Sequence, residues 1–282
     1  MSFRVAVAQM EIQLHQPHAN LVQAEKAARE AAESRADLVV FPELMLTGPI
    51  GERLDLIDNQ QQWRDSWMAL ASRVGVDVVA GSVIEGTPEA RRNRTYYVSK
   101  DGAELGHHDK RELWRSEQPH TTPGTTVTVI ERDFARIGLA VCWDLTSPSF
   151  IATLAAAGAD VIAVPAYWCH QLRGSEVKYS LSAEATHIQA LCVTRAFENS
   201  MAIAFANASG ECVPCDPEFP KRLLGRSQVA VPFKGTLAHG GSAEELVLAD
   251  IDLQLLDDAR SLYGLGRGSH GGSIAAVQTA KN

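Results

Sequence analysis

Arg136-Ile-Gly-Leu-Ala-Val-Cys-Trp-Asp144 is the stretch on which the reading of this chain turns. Residues 137–141 are apolar throughout, with Gly138 the small one, and such a short β-branched run reads as a strand buried on both faces. It ends on Cys142, ahead of the helix-breaking signal at Pro148. A thiol at the carboxyl edge of a buried strand stands where open α/β sheets gather their ligand chemistry. The plainer reading, a small core cysteine, is the commoner one for a lone thiol, so the rest of the chain has to decide between them.

Working outward, the same plan recurs on both sides. Residues 3–10 read as an opening strand, and 20–35 carry Leu21, Ala24, Ala27, Ala28, Ala31 and Ala32 at helical spacing. Residues 38–41 form a second buried strand that stops at Pro42-Glu43. A second unit follows, with a helix over 60–73 showing Trp63, Trp67 and Leu70 on one face, then a strand over 76–84. Asp101-Gly102 between 95–99 and 103–107 is a two-residue hairpin signal, because both central positions tolerate positive φ. An antiparallel pair therefore joins the sheet, making it mixed. Beyond a long polar connection from His108 to Gly124 come strands at 127–131 and 136–141, a helix at 150–157 and a strand at 160–165. A helix at 183–199, strands at 200–207, 227–232 and 245–251, and a short helix at 255–260 complete the pattern. No linker divides it, so we expect one α/β domain over 1–262 built from two similar halves, and a glycine-rich tail over 263–282 that is loosely ordered or packs on a partner.

The chain has 282 residues, 45% of them hydrophobic and 21% charged, ample for a sizeable core. A formal charge of −8 argues against a nucleic-acid surface. The five cysteines are odd in number and irregularly spaced, a poor disulfide framework. The opening residues carry no basic-then-apolar leader, and no apolar run approaches the roughly 20 residues of a membrane span. These features predict a reduced, soluble, cytoplasmic protein. Cys212-Val-Pro-Cys215 lacks the second pair, or the histidines, that a zinc site needs, and reads as a loop with two incidental thiols. No metal and no cofactor is expected.

Three polar residues occupy comparable places: Glu43 after one strand, Lys110 after the hairpin, and Cys142 after another strand. A thiol attacks a carbonyl or nitrile carbon as thiolate and needs a base to take its proton. A glutamate lodged among apolar neighbours is a better base, and a lysine beside both stabilises charge developing on the substrate heteroatom. The backbone N–H of Trp143 offers a second donor to that charge. Taken singly, Glu43 reads as a capping carboxylate and Lys110 as a solvated charge; together, and in this order, they read as a site.

In that order they resemble the nitrilase superfamily of carbon–nitrogen hydrolases. Phe41-Pro42-Glu43, Asp109-Lys110 and Val141-Cys142-Trp143-Asp144 are similar to its Glu, Lys and Cys motifs. Glu117, ahead of Pro123-Gly124, matches a second glutamate that the resemblance assigns to positioning substrate beside the lysine. Gly158-Ala-Asp with Val164-Pro and Trp168, Arg195-Ala-Phe-Glu-Asn199 with Asn207-Ala-Ser-Gly210, Gly225-Arg-Ser227 with Pro232, and Asp250-Ile-Asp252 extend the likeness over roughly residues 3 to 260. It implies a four-layer α-β-β-α sandwich with mixed sheets that pairs as a homodimer or larger homo-oligomer. It also implies acyl transfer in which Glu43 deprotonates Cys142, Lys110 and the Trp143 amide hold the oxyanion, and Glu43 then activates water against a thioester. Tyr167 and Trp168, after a strand end, are expected to wall the substrate pocket with Trp143.

The pattern departs from amidase-type members in Trp143, which takes the place of a tyrosine. Leu145-Thr-Ser-Pro148-Ser149 lacks their carboxylate after the proline, and His107-His108 replaces an aromatic–Arg pair. The expected activity is hydrolysis of a small non-peptide amide or N-carbamoyl amine. A nitrilase yielding acid and ammonia, and a catalytically silent binding protein on the same fold, are the alternatives.

Overall fold

The computed structural model describes residues 2–170, 179–211, 222–263 and 277–280, the last by backbone alone. Two seven-stranded mixed sheets lie between helices. The first runs in the order β13 (Glu245–Asp252), β1 (Ser2–Gln9), β2 (Leu38–Val40), β3 (Asp77–Val79), β5 (Ala90–Val98) and β4 (Val83–Thr87), with β6 (Glu104–Asp109) also on β5. The second runs β12 (Gly235–His239), β11 (Gln228–Val231), β10 (Ala202–Asn207), β9 (Val161–Ala166), β8 (Arg136–Leu139), β7 (Val127–Glu131) and β14 (Val277–Ala280).

Side-chain alternation explains why these strands read as unbroken apolar runs. Val5 and Val7, Leu38 and Val40, Ile137 and Leu139, Val161 and Ala163, and Ala202 and Ala204 face the layer between the sheets. Their neighbours Ala6, Ala8, Val39 and Phe41 turn outward to Ala24, Ala28, Trp63, Trp67 and Leu70 of helices α1 (Pro17–Glu33) and α2 (Gln62–Val74). On the other side Ile162, Val164, Ile203 and Phe205 meet Phe150, Leu154, Ile188, Cys192 and Ala196 of α3 (Pro148–Ala156) and α4 (Ala183–Asn199). The result is the four-layer α-β-β-α sandwich. A fifth helix, α5 (Leu253–Tyr263), sets Leu256 into the layer between the sheets. Each aliphatic side chain buried in these layers is worth about 1.5–3 kcal/mol. A charge among them survives only when paired and hydrogen-bonded.

One expectation is corrected. The single strand expected over 76–84 is two strands, β3 and β4, separated at Gly81, whose φ is +60°. A Cβ there would lie 2.2 Å from the Pro42 carbonyl oxygen, so the chain leaves the sheet at a glycine to let Pro42-Glu43 pass. Freed in this way, β4 returns antiparallel on β5, a hairpin that period-two reading missed because charged residues 91, 92 and 94 mask the alternation. The Asp101-Gly102 hairpin joins β5 to β6, with Gly102 at φ +83°. Of the tail, 277–280 run parallel to β7, and the remainder lies outside the described residues, as do Cys212 and Cys215.

Candidate active site

Glu43, Lys110, Glu117 and Cys142 meet in one place, at the carboxyl ends of β2 and β8. Glu43 follows β2, and its amide donates to the Ala166 carbonyl of the opposite sheet at 3.2 Å. Its Oε1 accepts from Lys110 Nζ at 2.7 Å and from Asn93 Nδ2 at 2.8 Å. Its Oε2 accepts from the Tyr167 amide at 3.0 Å, and the same amide favours the Cys142 thiolate. The Cys142 thiol sits beside the Glu43 carboxyl, close enough that each shifts the other's proton affinity. Lys110 Nζ lies 2.7 Å from Glu117 Oε2, so two carboxylates flank one ammonium.

Backbone geometry locks these side chains. Lys110 directly follows β6, its amide donating to the Asn93 carbonyl at 2.8 Å and its carbonyl accepting from Gly124 at 2.9 Å. Any side chain at Gly124 would collide with Asp109, whose carbonyl oxygen lies 2.1 Å from where a Cβ would stand. Cys142 opens a one-turn helix, Cys142–Thr146, with φ at +47°. A non-glycine residue there costs about 1–3 kcal/mol and persists only where its surroundings hold it. Arg195 of α4 does so from below, donating to the Leu145 carbonyl at 3.1 Å and the Thr146 carbonyl at 3.4 Å. The Asp144 carboxylate holds the turn from within, accepting the Val141 amide at 2.9 Å.

Burial sets the electrostatics. Lys110 and Glu43 are each 2% exposed and Cys142 7%. Burial pushes the Glu43 carboxyl above the usual range; the Lys110 ammonium opposes this and the Glu117 carboxylate adds to it. Burial, then the charge of Glu43, pushes the Cys142 thiol well up, with Lys110 pulling the other way. Lys110 is raised well above an ordinary lysine, because Glu117 and Glu43 outweigh the burial that lowers it. At rest the arrangement is therefore a thiol, an ammonium and a carboxylate poised as a base.

The aromatic residues divide. Trp143 packs against Trp168 with ring centroids 5.0 Å apart, and against Trp114 at 4.4 Å, giving a run of three indoles beside Cys142. The Trp168 indole N–H donates to Glu184 Oε2 at 2.7 Å. Tyr167 brings its amide to the site, whereas its side chain packs toward Ala208 and Leu223. Sequence reading missed Asn93, whose Nδ2 bridges Glu43 and Glu117, the latter at 2.9 Å. It also missed Trp114, whose amide is held by Glu117 at 2.7 Å. The signal for Asn93 was present, since it shares the period-two face of Tyr97, which points between the sheets. Asn207, quoted above only as part of a motif, clamps Trp168 by accepting from its amide at 2.7 Å and donating to its carbonyl at 3.1 Å. Among the described residues no cluster of three His, Cys, Asp or Glu side chains is arranged to hold a metal, and no helix is long and apolar enough to cross a membrane.

Known proteins resemble this chain over nearly its whole length. A 2-oxoglutaramate amidase of Bacillus subtilis is 29% identical over 258 residues, 90% of this chain and 92% of the relative. A nitrilase of Pyrococcus abyssi is 31% identical over 265 residues, 91% of this chain and 92% of that one. Among solved structures, a cysteine-to-alanine mutant of a Nesterenkonia amidase from the nitrilase superfamily superposes with a TM-score of 0.76 at 26% identity, covering 93% of this chain and 95% of its own. A carbon–nitrogen hydrolase of Helicobacter pylori shares the fold with a TM-score of 0.84 at 20% identity, covering 93% of each chain. The profile of the family described as carbon-nitrogen hydrolase matches residues 4–261. The chain belongs to the carbon–nitrogen hydrolases, in their amidase-like, nitrilase-superfamily company.

Proposed function

We propose that this enzyme hydrolyses a small amide or N-carbamoyl amine through a thioester on Cys142. The observation that carries the reading is the buried contact of one carboxylate, Glu43, with both the Lys110 ammonium at 2.7 Å and the Cys142 thiol. Glu43 takes the thiol proton as sulfur attacks the carbonyl carbon. The oxyanion is held by Lys110 Nζ and by the amide of Trp143, which sits at the start of a one-turn helix where amides have no carbonyl partner of their own. Protonated Glu43 passes its proton to the departing nitrogen, the C–N bond breaks, and ammonia or an amine leaves. Glu43 then takes a proton from water as it attacks the thioester, and returns it to sulfur as the acid departs. Glu117 and Asn93 hold Lys110 and Glu43 in register, and the indoles of Trp143 and Trp168 wall the acyl side.

The test is ammonia or amine release from a panel of small amides, 2-oxoglutaramate, carbamoyl amines and nitriles, with mass spectrometry of the trapped protein. Release from amides or carbamoyl amines, with an acyl adduct on Cys142 and no release by Cys142→Ala at an unchanged Tm, is the expected result. Turnover surviving in Cys142→Ala overturns the mechanism, release from nitriles alone marks a nitrilase, and no release from any substrate marks a silent binding protein. The reading includes a homodimer, supported by the exposed ring cluster of Phe197, Tyr263 and Phe233, with centroids 5.0 and 5.5 Å apart on the α4 and α5 side. Sedimentation at micromolar concentration tests it, and a monomer mass would overturn it.

A further inference from the structure

His108, two positions ahead of Lys110, is buried against the segment that follows Cys142. Its Nε2 lies 2.9 Å from Asp144 Oδ2, and both side chains are fully buried. Asp144 accepts three further N–H groups, all backbone: Val141 at 2.9 Å on Oδ2, and Arg111 at 2.9 Å and Glu112 at 2.7 Å on Oδ1. Val141 immediately precedes Cys142, and Arg111 and Glu112 immediately follow Lys110. One carboxylate thus joins the turn that aims the thiol to the segment that aims the ammonium.

The histidine completes and orients that carboxylate. Because a carboxylate faces Nε2, that nitrogen carries the proton, an assignment made from the hydrogen-bond pattern. Nδ1 is buried with no hydrogen-bond partner among the described residues. A second proton there would bury a donor without an acceptor, so the neutral Nε2–H ring fits the site. The ring is held flat by stacking on Phe150, with centroids 5.3 Å apart and planes 12° from parallel. Without the imidazole, Asp144 Oδ2 keeps one donor in a dry interior, and the two segments lose their common anchor.

We propose that His108 and Asp144 act as a positioning pair that holds Cys142 and Lys110 in mutual register for acyl transfer. This rests on the proposed amide hydrolysis for its kinetic readout, and cysteine alkylation supplies one that needs no turnover. Misplacing a reacting group by about 1 Å costs on the order of 100-fold, so His108→Phe should lower kcat by about 10- to 100-fold while KM stays close to the parent value. His108→Gln places an amide N–H where Nε2 stood and should restore most of kcat. His108→Asn places its N–H nearer the Nδ1 position and should not.

Iodoacetamide alkylation of Cys142, followed by peptide mass spectrometry, should keep the parent rate in His108→Gln and slow in His108→Asn and His108→Phe. If the parent enzyme hydrolyses nothing in the panel, the functional reading fails and alkylation still decides the pair. Should His108→Phe not fold, the Gln and Asn variants carry the test. Parent-like kinetics in His108→Phe, or equal behaviour of the Gln and Asn variants, would overturn the proposal.

Discussion

Two buried ionic clusters lie at opposite ends of the strands, and they are built differently. At the amino end of β3, Asp77 meets Arg132 at 2.6 Å, with the side chains 1% and 6% exposed. Asp77 also accepts Tyr97 Oη at 2.6 Å and the Lys100 amide at 2.7 Å, so one cation meets one well-bonded anion. At the carboxyl ends, Glu43 and Glu117 share the single Lys110 ammonium, beside a thiol. The matched pair has no charge to spare, and it holds structure. The unmatched set carries one more carboxylate than cation; burial keeps the Glu43 carboxyl raised and basic, and the second carboxylate, Glu117, adds to it against the lowering pull of Lys110.

If that contrast is right, the largest effect comes from removing the surplus base. Glu43→Gln should lower amide turnover by about 10²- to 10⁴-fold. Glu43 also opposes the thiolate and Lys110 favours it, so iodoacetamide should still label Cys142 in this variant, at the parent rate or faster. Amide turnover kept near the parent rate in Glu43→Gln would break the assignment of Glu43 as base. Arg132→Met should cost about 3–5 kcal/mol, because it strands a buried carboxylate. That cost should be visible as a lower denaturation midpoint, with kcat per folded molecule unchanged; a drop in kcat instead would mean the structural pair reaches the chemistry.

The smallest effect concerns pH. In the proposed mechanism Glu43 must be ionised to act, and its raised value places the acid limb of the kcat/KM profile above the range of an ordinary glutamate. Activity is then present above that limb and lost as pH falls through it. Glu117→Gln removes a charge that raises Glu43, so the limb should move to lower pH. A limb that stays in place or moves up would refute the coupling.

The run around Cys142 and the order of Glu43, Lys110, Glu117 and Cys142 were enough to determine the layered fold and to nominate the site. Strands apolar on both faces can be satisfied only between two other layers, and a sharp Phe-Pro-Glu or Val-Cys-Trp boundary marks where a strand must end. What sequence could not decide was which side chains act through others. Asn93 sits among arginines, the pair His108 and Asp144 is separated by 36 positions, and Tyr167 contributes an amide rather than its ring. Period and composition report which face of an element is buried. Whether two buried polar groups touch depends on register across strands and on φ at residues such as Gly81 and Cys142, which are properties of the packed chain alone.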